Sequence, residues 1–147
     1  MSARTKARKR ALDLLFEADQ RGANLQQVLD ERLIDSGAQT PLPEYSAQLV
    51  RGVVSQWREI NAIIQGASAE WTLARMPAVD RALLRIATWE ILSNPDVATG
   101  VAIDEAVSLA QDLSTDDSAS FINGVLATIA RDAPAIGASD QPATPEP

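Results

Sequence analysis

The sequence predicts an all-α protein, a helical bundle of about six to seven helices, and three observations carry that prediction. Apolar residues recur at three- and four-residue steps along most of the chain, and no β-rich alternating run appears anywhere. The connections between these stretches are short and rich in Gly, Pro, Ser and Asn, which favours antiparallel neighbours packed as a bundle. Residues 78–92, AVDRALLRIATWEIL, are apolar around almost the whole circumference of a helix. A surface helix shows one apolar stripe, so this one must be packed from several directions and organise the core.

The elements follow in order. Residues 5 to about 20 form the first helix: Ala7, Ala11, Leu12, Leu14, Leu15, Phe16 and Ala18 make a wide apolar arc that docks its second half, and Gly22 ends it. Asn24 is a candidate N-cap for a second helix over 25–34, anchored by Val28, Leu29 and Leu33. Ser36-Gly37 stops it, and Thr40-Pro-Leu-Pro is a loop. A long third helix from 44 to about 65 carries one buried face of Tyr45, Leu49, Val53, Trp57, Ile60 and Ile64. Gly52 inside it lowers helix propensity and points to close packing or a bend. Trp71, Leu73 and Met76 form a short apolar linker over the core. After the central helix, Asn94-Pro95 gives way to a helix over 101–113 with Ile103, Ala106, Val107, Ala110 and Leu113 inward. The last helix runs from 118 to about 131, with Ile122, Val125, Leu126 and Ile129 inward and Phe121 at the margin of that stripe. Pro134 is expected to end order, which makes 1–132 a single helical domain and 133–147 a disordered tail.

On the central helix only Arg81, Arg85 and Thr88 form a polar strip. Glu90 falls between Leu83 and Ile86 on the apolar side. A carboxylate there needs a cation or a backbone N–H, because an unpaired buried charge is very costly. Glu90 is therefore read as a structural acid that ties this helix to a neighbour.

Composition excludes several chemistries. With no Cys and no His, the chain has no disulfide, no Cys/His metal site and no His- or Cys-based catalysis. Nothing resembles a phosphate loop or a nucleophile elbow, and Asp104-Glu105 and Asp116-Asp117 are adjacent residues that do not face each other on a helix. No catalytic residue, cofactor or metal is expected. No apolar signal region follows the basic start and no run approaches a membrane span, so a cytoplasmic protein without membrane contact is the expectation. The net charge is −7, yet it is unevenly spread. Arg4, Lys6, Arg8, Lys9 and Arg10 are five of thirteen basic residues, and no acid precedes Asp13. A basic arm on an acidic body marks a polyanion site. The arm is equally compatible with a solvated helix end or with helical charge pairs such as Lys9–Asp13.

The C-terminal third carries a specific likeness. DRALLRIATWEIL, VAIDEAVSLAQDL and STDDSASFINGVLATIA, preceded at the start of the chain by ARKRALDLLFEA, resemble consecutive segments of the bacterial antitermination factors of the NusB family, over about residues 4–131. The resemblance implies two three-helix subbundles and no enzymatic activity. It implies pairing with NusE, a protein of the small ribosomal subunit, and binding of the single-stranded boxA element of ribosomal RNA leaders, within the RNA polymerase antitermination complex. By matching positions, Arg4, Lys6, Arg8, Lys9 and Arg10 would contact RNA, along with Asp117, Ser118 and Phe121. Asp80 and Arg85 would belong to the NusE-facing surface. Family members occur as monomers and as homodimers, and a homodimer that covers the arm would be self-inhibited.

The residues accommodate this reading. Cations hold the phosphates of single-stranded RNA and aromatic rings stack on its bases; the arm supplies the first and Phe121 the second. Edge-of-core packing accounts equally well for Phe121, and capping of the last helix accounts for Asp117. Two alternatives stand beside it. One is the NusB-like domain of a ribosomal RNA methyltransferase, disfavoured because the chain ends soon after the last helix. The other is a helical oligomerisation or interaction module that binds only protein and has no RNA affinity.

Overall fold

The computed structural model describes residues 2–140, which form seven α-helices and one short 3-10 turn, with no strand among the described residues. Helix α1 spans Ala3–Arg21, α2 Leu25–Ile34, α3 Glu44–Ser55, α4 Trp57–Ala67, α5 Ala78–Ser93, α6 Thr99–Leu113 and α7 Ser118–Asp140. Helices α1, α2 and α3 pack on one another, and so do α5, α6 and α7, with α4 laid against α5 and α7. The α5 helix also packs on α1 and α3, so it is shared between the two bundles, as its nearly continuous apolar surface requires. Leu83, Leu84, Ile86, Ala87 and Trp89 are all buried in one core that runs through both halves.

Local chemistry sets the helix ends. The Ser2 side chain accepts the Thr5 N–H at 3.1 Å and starts α1. Gly22, at φ +62°, ends it in the left-handed conformation that glycine adopts without strain. Asn24 Oδ1 accepts the Gln27 N–H at 3.2 Å and starts α2. Gly52 answers a packing need: a Cβ built on it would lie 2.1 Å from Trp89 Nε1, so only glycine lets α3 and α5 approach this closely.

Several expectations are corrected. The long third helix is two: Gln56, at φ −116° and ψ 27°, separates α3 from α4. Ser55 Oγ donates to the Gly52 carbonyl at 3.1 Å, a bond of the kind that competes with the helical ladder and bends it. The turn at Gln56 keeps Ile60 and Ile64 fully buried but leaves Trp57 39 % exposed instead of in line with Tyr45, Leu49 and Val53. Leu33 and Leu113, expected inside, are exposed, and so is Phe16 at the edge of its arc. In the last turn of α2 it is Arg32 that leans onto α1, pairing with Glu17 at 2.7 Å. Thr88, assigned to the polar strip of α5, is completely buried. Helix α7 continues through Pro134 to Asp140, where order was expected to stop; the rest of the expected tail, 141–147, lies outside the described residues.

Candidate RNA and protein interface

The basic arm is the first turns of α1, and the structure divides its five cations. Arg4 and Lys6 are exposed. The Arg4 guanidinium lies 4.9 Å from the centre of the Tyr45 ring, and its Nη1 donates to the Asp96 carbonyl at 3.5 Å. Lys9 is half-buried and pairs with Asp13 at 2.7 Å, as its i,i+4 spacing allows. Arg10 is half-buried and its Nη1 donates to Thr40 Oγ1 at 3.4 Å. Arg8 differs from all of these, for it is 3 % exposed. Its Nε donates to both Glu90 oxygens at 3.0 and 3.1 Å, and Nη2 donates to Oε2 at 2.9 Å. Glu105 lies 3.5 Å from its remaining nitrogen.

Arg8 is thus the cation that the buried Glu90 demanded, and a guanidinium enclosed in this way cannot reach a phosphate. Its assignment as an RNA contact is corrected on that ground. Its sequence position carries the signal: Ala11, Leu12 and Leu15 stand three, four and seven residues on, so Arg8 shares the inward face of α1. The pair is further enclosed by hydrogen bonds. Tyr45 donates its hydroxyl to Glu90 Oε2 and accepts from Asn94 Nδ2 at 3.1 Å, while Thr5 donates to Glu105 Oε1 at 2.8 Å. Burial, followed by the hydrogen bond to Glu90, pushes the Tyr45 hydroxyl up to about 12. Burial pulls the Arg8 guanidinium down, but the bonds and charge of Glu90 outweigh it and hold Arg8 above its ordinary value.

A second set of groups gathers at the start of α7. Trp71, in the linker after α4, and Phe121, in the first turns of α7, bring their ring centres to 4.8 Å at a tilt of 50°. Both are half-buried and line an open cavity of about 450 Å³ with Gly124, and Asp117 and Glu70 stand at its sides. Phe121 therefore packs and remains partly accessible at once. No local pattern signals the Trp71 partnership, because the two rings are fifty positions apart. Asp117 is exposed, whereas Ser118 is fully buried. The Ser118 hydroxyl accepts the Thr115 N–H at 3.3 Å and lies 2.7 Å from Thr115 Oγ1 and 2.9 Å from Ser114 Oγ. Its assignment as a direct RNA contact is corrected: its hydrogen bonds are spent closing the α6–α7 turn.

The two residues expected on the protein-facing surface also separate. Asp80 is completely buried and accepts from Ser114 Oγ at 2.5 Å, so it presents no charge to a partner, and that expectation is corrected. A first-turn acid is usually exposed, but here the α6–α7 turn covers it. Arg85 is half-buried and reaches an opening. Its guanidinium stacks 4.2 Å from the Trp57 ring and its Nε donates to Asn61 Oδ1 at 2.9 Å. No carboxylate pairs with it among the described residues; burial and the nearby charge of Arg81 push it down to about 10. Arg85 and Trp57 line a second open cavity of about 520 Å³ with Leu15, Ala18, Leu25 and Val54.

Among the described residues no group of carboxylates could hold a metal ion, and no helix is long and apolar enough to cross a membrane. Accessible cations on one arm of an acidic chain, a ring pair beside an open cavity, and an apolar opening with an unpaired guanidinium define a helical binding protein. The chain belongs to the NusB family, whose model matches residues 5–131. It is 53 % identical over 144 residues to the transcription antitermination protein NusB of Leifsonia xyli subsp. xyli, covering 96 % of this chain and all of that one. Its fold is similar to T. maritima NusB, with a TM-score of 0.79 and 32 % identity over 94 % of this chain and 98 % of that one. It is also similar to a crystal structure of the antitermination factors NusB and NusE in complex with double-stranded RNA, with a TM-score of 0.74 and 26 % identity over 87 % and 96 %.

Proposed function

We propose that this protein is a transcription antitermination factor that pairs with NusE and holds the boxA single strand of ribosomal RNA leaders within the transcribing RNA polymerase complex. The observation that carries the partnership with NusE and RNA is the likeness, over most of both chains, to NusB in its complex with NusE and double-stranded RNA; the preference for a single strand is argued from the ring pair of the site. It acts in the cytoplasm by binding, without catalysis. Arg4, Lys6, Lys9 and Arg10 supply the phosphate contacts. Phe121, with Trp71 behind it, offers a ring to a base, and the exposed Asp117 carboxylate accepts a base N–H. A ring stacks most readily on an unpaired base, whose face no neighbouring base pair covers, and for that reason a single strand suits this site better than a duplex. The NusE contact uses Arg85 and the apolar opening it shares with Trp57.

The test is anisotropy of a labelled boxA-like single strand titrated with the protein, with and without purified NusE, against scrambled single-stranded and duplex competitors. Binding that NusE strengthens, and that the scrambled strand and the duplex compete poorly, is expected. Absence of RNA binding even with NusE present would instead make the protein a helical module that binds only protein.

A further inference from the structure

The buried Asp80 carboxylate sits at one end of a directed chain of hydroxyl groups. Ser114 Oγ donates its single hydroxyl proton to Asp80 Oδ1, 2.5 Å away. Ser114 Oγ can then only accept from Ser118, at 2.9 Å, and Ser118 Oγ in turn accepts from Thr115 Oγ1 at 2.7 Å. Ser118 Oγ also accepts the Thr115 N–H, and the Ser118 N–H donates to the Thr115 carbonyl at 3.1 Å. Every proton in the chain points towards Asp80, and hydrogen bonds aligned in this way polarise and strengthen one another. The carboxylate is fully buried, and among the described residues its Oδ2 has no hydrogen-bond partner and the Ser114 bond is the one side-chain hydrogen bond it makes.

What this chain holds is the turn between α6 and α7. Asp117 precedes Ser118 directly, the Phe121 N–H donates to the Asp117 carbonyl at 3.2 Å, and the Phe121 ring meets Trp71. We infer that Asp80 is a positioning residue for the base-contacting end of the RNA site: through Ser114 and Ser118 it fixes the turn that aims Asp117 and Phe121. This rests on the RNA reading above, and it replaces a surface role for Asp80 with an internal one. It also joins the first turn of α5, one turn from Arg85, to the start of α7, so that a change at the foot of α5 alters RNA binding without touching RNA.

The experiment has an arm that needs no RNA. In the free protein, Asp80→Asn is expected to raise amide hydrogen exchange across residues 115–121 by tenfold or more and to shift the Trp71 indole N–H resonance, with exchange in α1 and α3 unchanged. In the NusE-bound protein, Asp80→Asn should weaken boxA-like RNA about tenfold without changing the salt dependence. In a Phe121→Ala background the same substitution should cost less than twofold, because the ring it aims is gone. Should Asp80→Asn fail to fold, Ser114→Ala cuts the link between Asp80 and Ser118 while leaving the Ser118–Thr115 bonds of the turn in place, and the same outcomes are expected of it. Unchanged exchange and an unchanged Trp71 resonance would overturn the inference, as would equal losses of RNA affinity in both backgrounds. If Phe121→Ala itself binds RNA like wild type, the base-contact reading fails, and the exchange measurement still decides whether Asp80 holds the turn.

Discussion

Glu90→Ala removes the acceptor on which the charge chemistry between the two bundles converges. Glu90 is 1 % exposed and takes three bonds from Arg8, between 2.9 and 3.1 Å, in addition to the Tyr45 hydroxyl. The substitution strands a guanidinium that is itself 3 % exposed. Removing one partner of a buried pair costs about 3–5 kcal/mol. Glu105, 3.5 Å from Arg8 and 22 % exposed at its side chain, remains as a weaker acceptor and places the expected loss near the lower end, about 3 kcal/mol. For a domain of this size that lowers Tm by roughly 6–12 °C. The assay is urea and thermal denaturation of Glu90→Ala, Arg8→Met and the double variant Arg8→Met/Glu90→Leu. Replacing both charges with apolar groups of similar volume is often neutral or stabilising, so the double variant should recover most of the loss. It should also keep the salt dependence of RNA binding, since Arg8 reaches no phosphate. A loss below about 1 kcal/mol for Glu90→Ala, or a double variant no more stable than either single one, would refute a buried, mutually dependent pair.

The same cluster predicts an alkaline response. The Tyr45 hydroxyl is raised from 10.0 to about 12, so its contribution is complete below pH 10 and is lost as pH climbs towards 12; stability of Tyr45→Phe, followed by denaturation across that window, should fall less steeply than wild type. Gly52→Ala places a methyl group against the Trp89 indole and should destabilise by about 1–3 kcal/mol, with an altered near-ultraviolet circular dichroism from the displaced ring; an unshifted melting curve would contradict the close approach of α3 and α5. With four accessible arm cations, the slope of log K against log salt for single-stranded RNA should not be steeper than about −2.8, and Arg4→Ala/Lys6→Ala should flatten it by about 1.4, read from a salt titration of the NusE-bound protein. Phe121→Ala should cost about 1–3 kcal/mol of RNA affinity with the slope kept, because stacking releases no counterions.

The one-dimensional pattern determined those features whose causes lie within about a turn of helix. The capped start of α2 at Asn24, the glycine end of α1, the burial of α5 from several sides and the need of Glu90 for a buried partner all follow from residues a few positions apart, since caps and helical periodicity are local. The composition excluded disulfides and histidine chemistry for the same reason that it needs no geometry. Tertiary structure decided what each side chain meets across the interface. Arg8 looks like its neighbours in a run of cations until α5 places Glu90 opposite it. Asp80 looks like an exposed first-turn acid until the α6–α7 turn closes over it. Trp57 keeps the period of a buried stripe, but the helix turns at Gln56 and carries its ring outward. Trp71 and Phe121 become a pair only when the linker after α4 is laid beside α7. A helix's own period tells which residues share a face; whether that face meets apolar packing, a charge or water depends on segments far away in the chain.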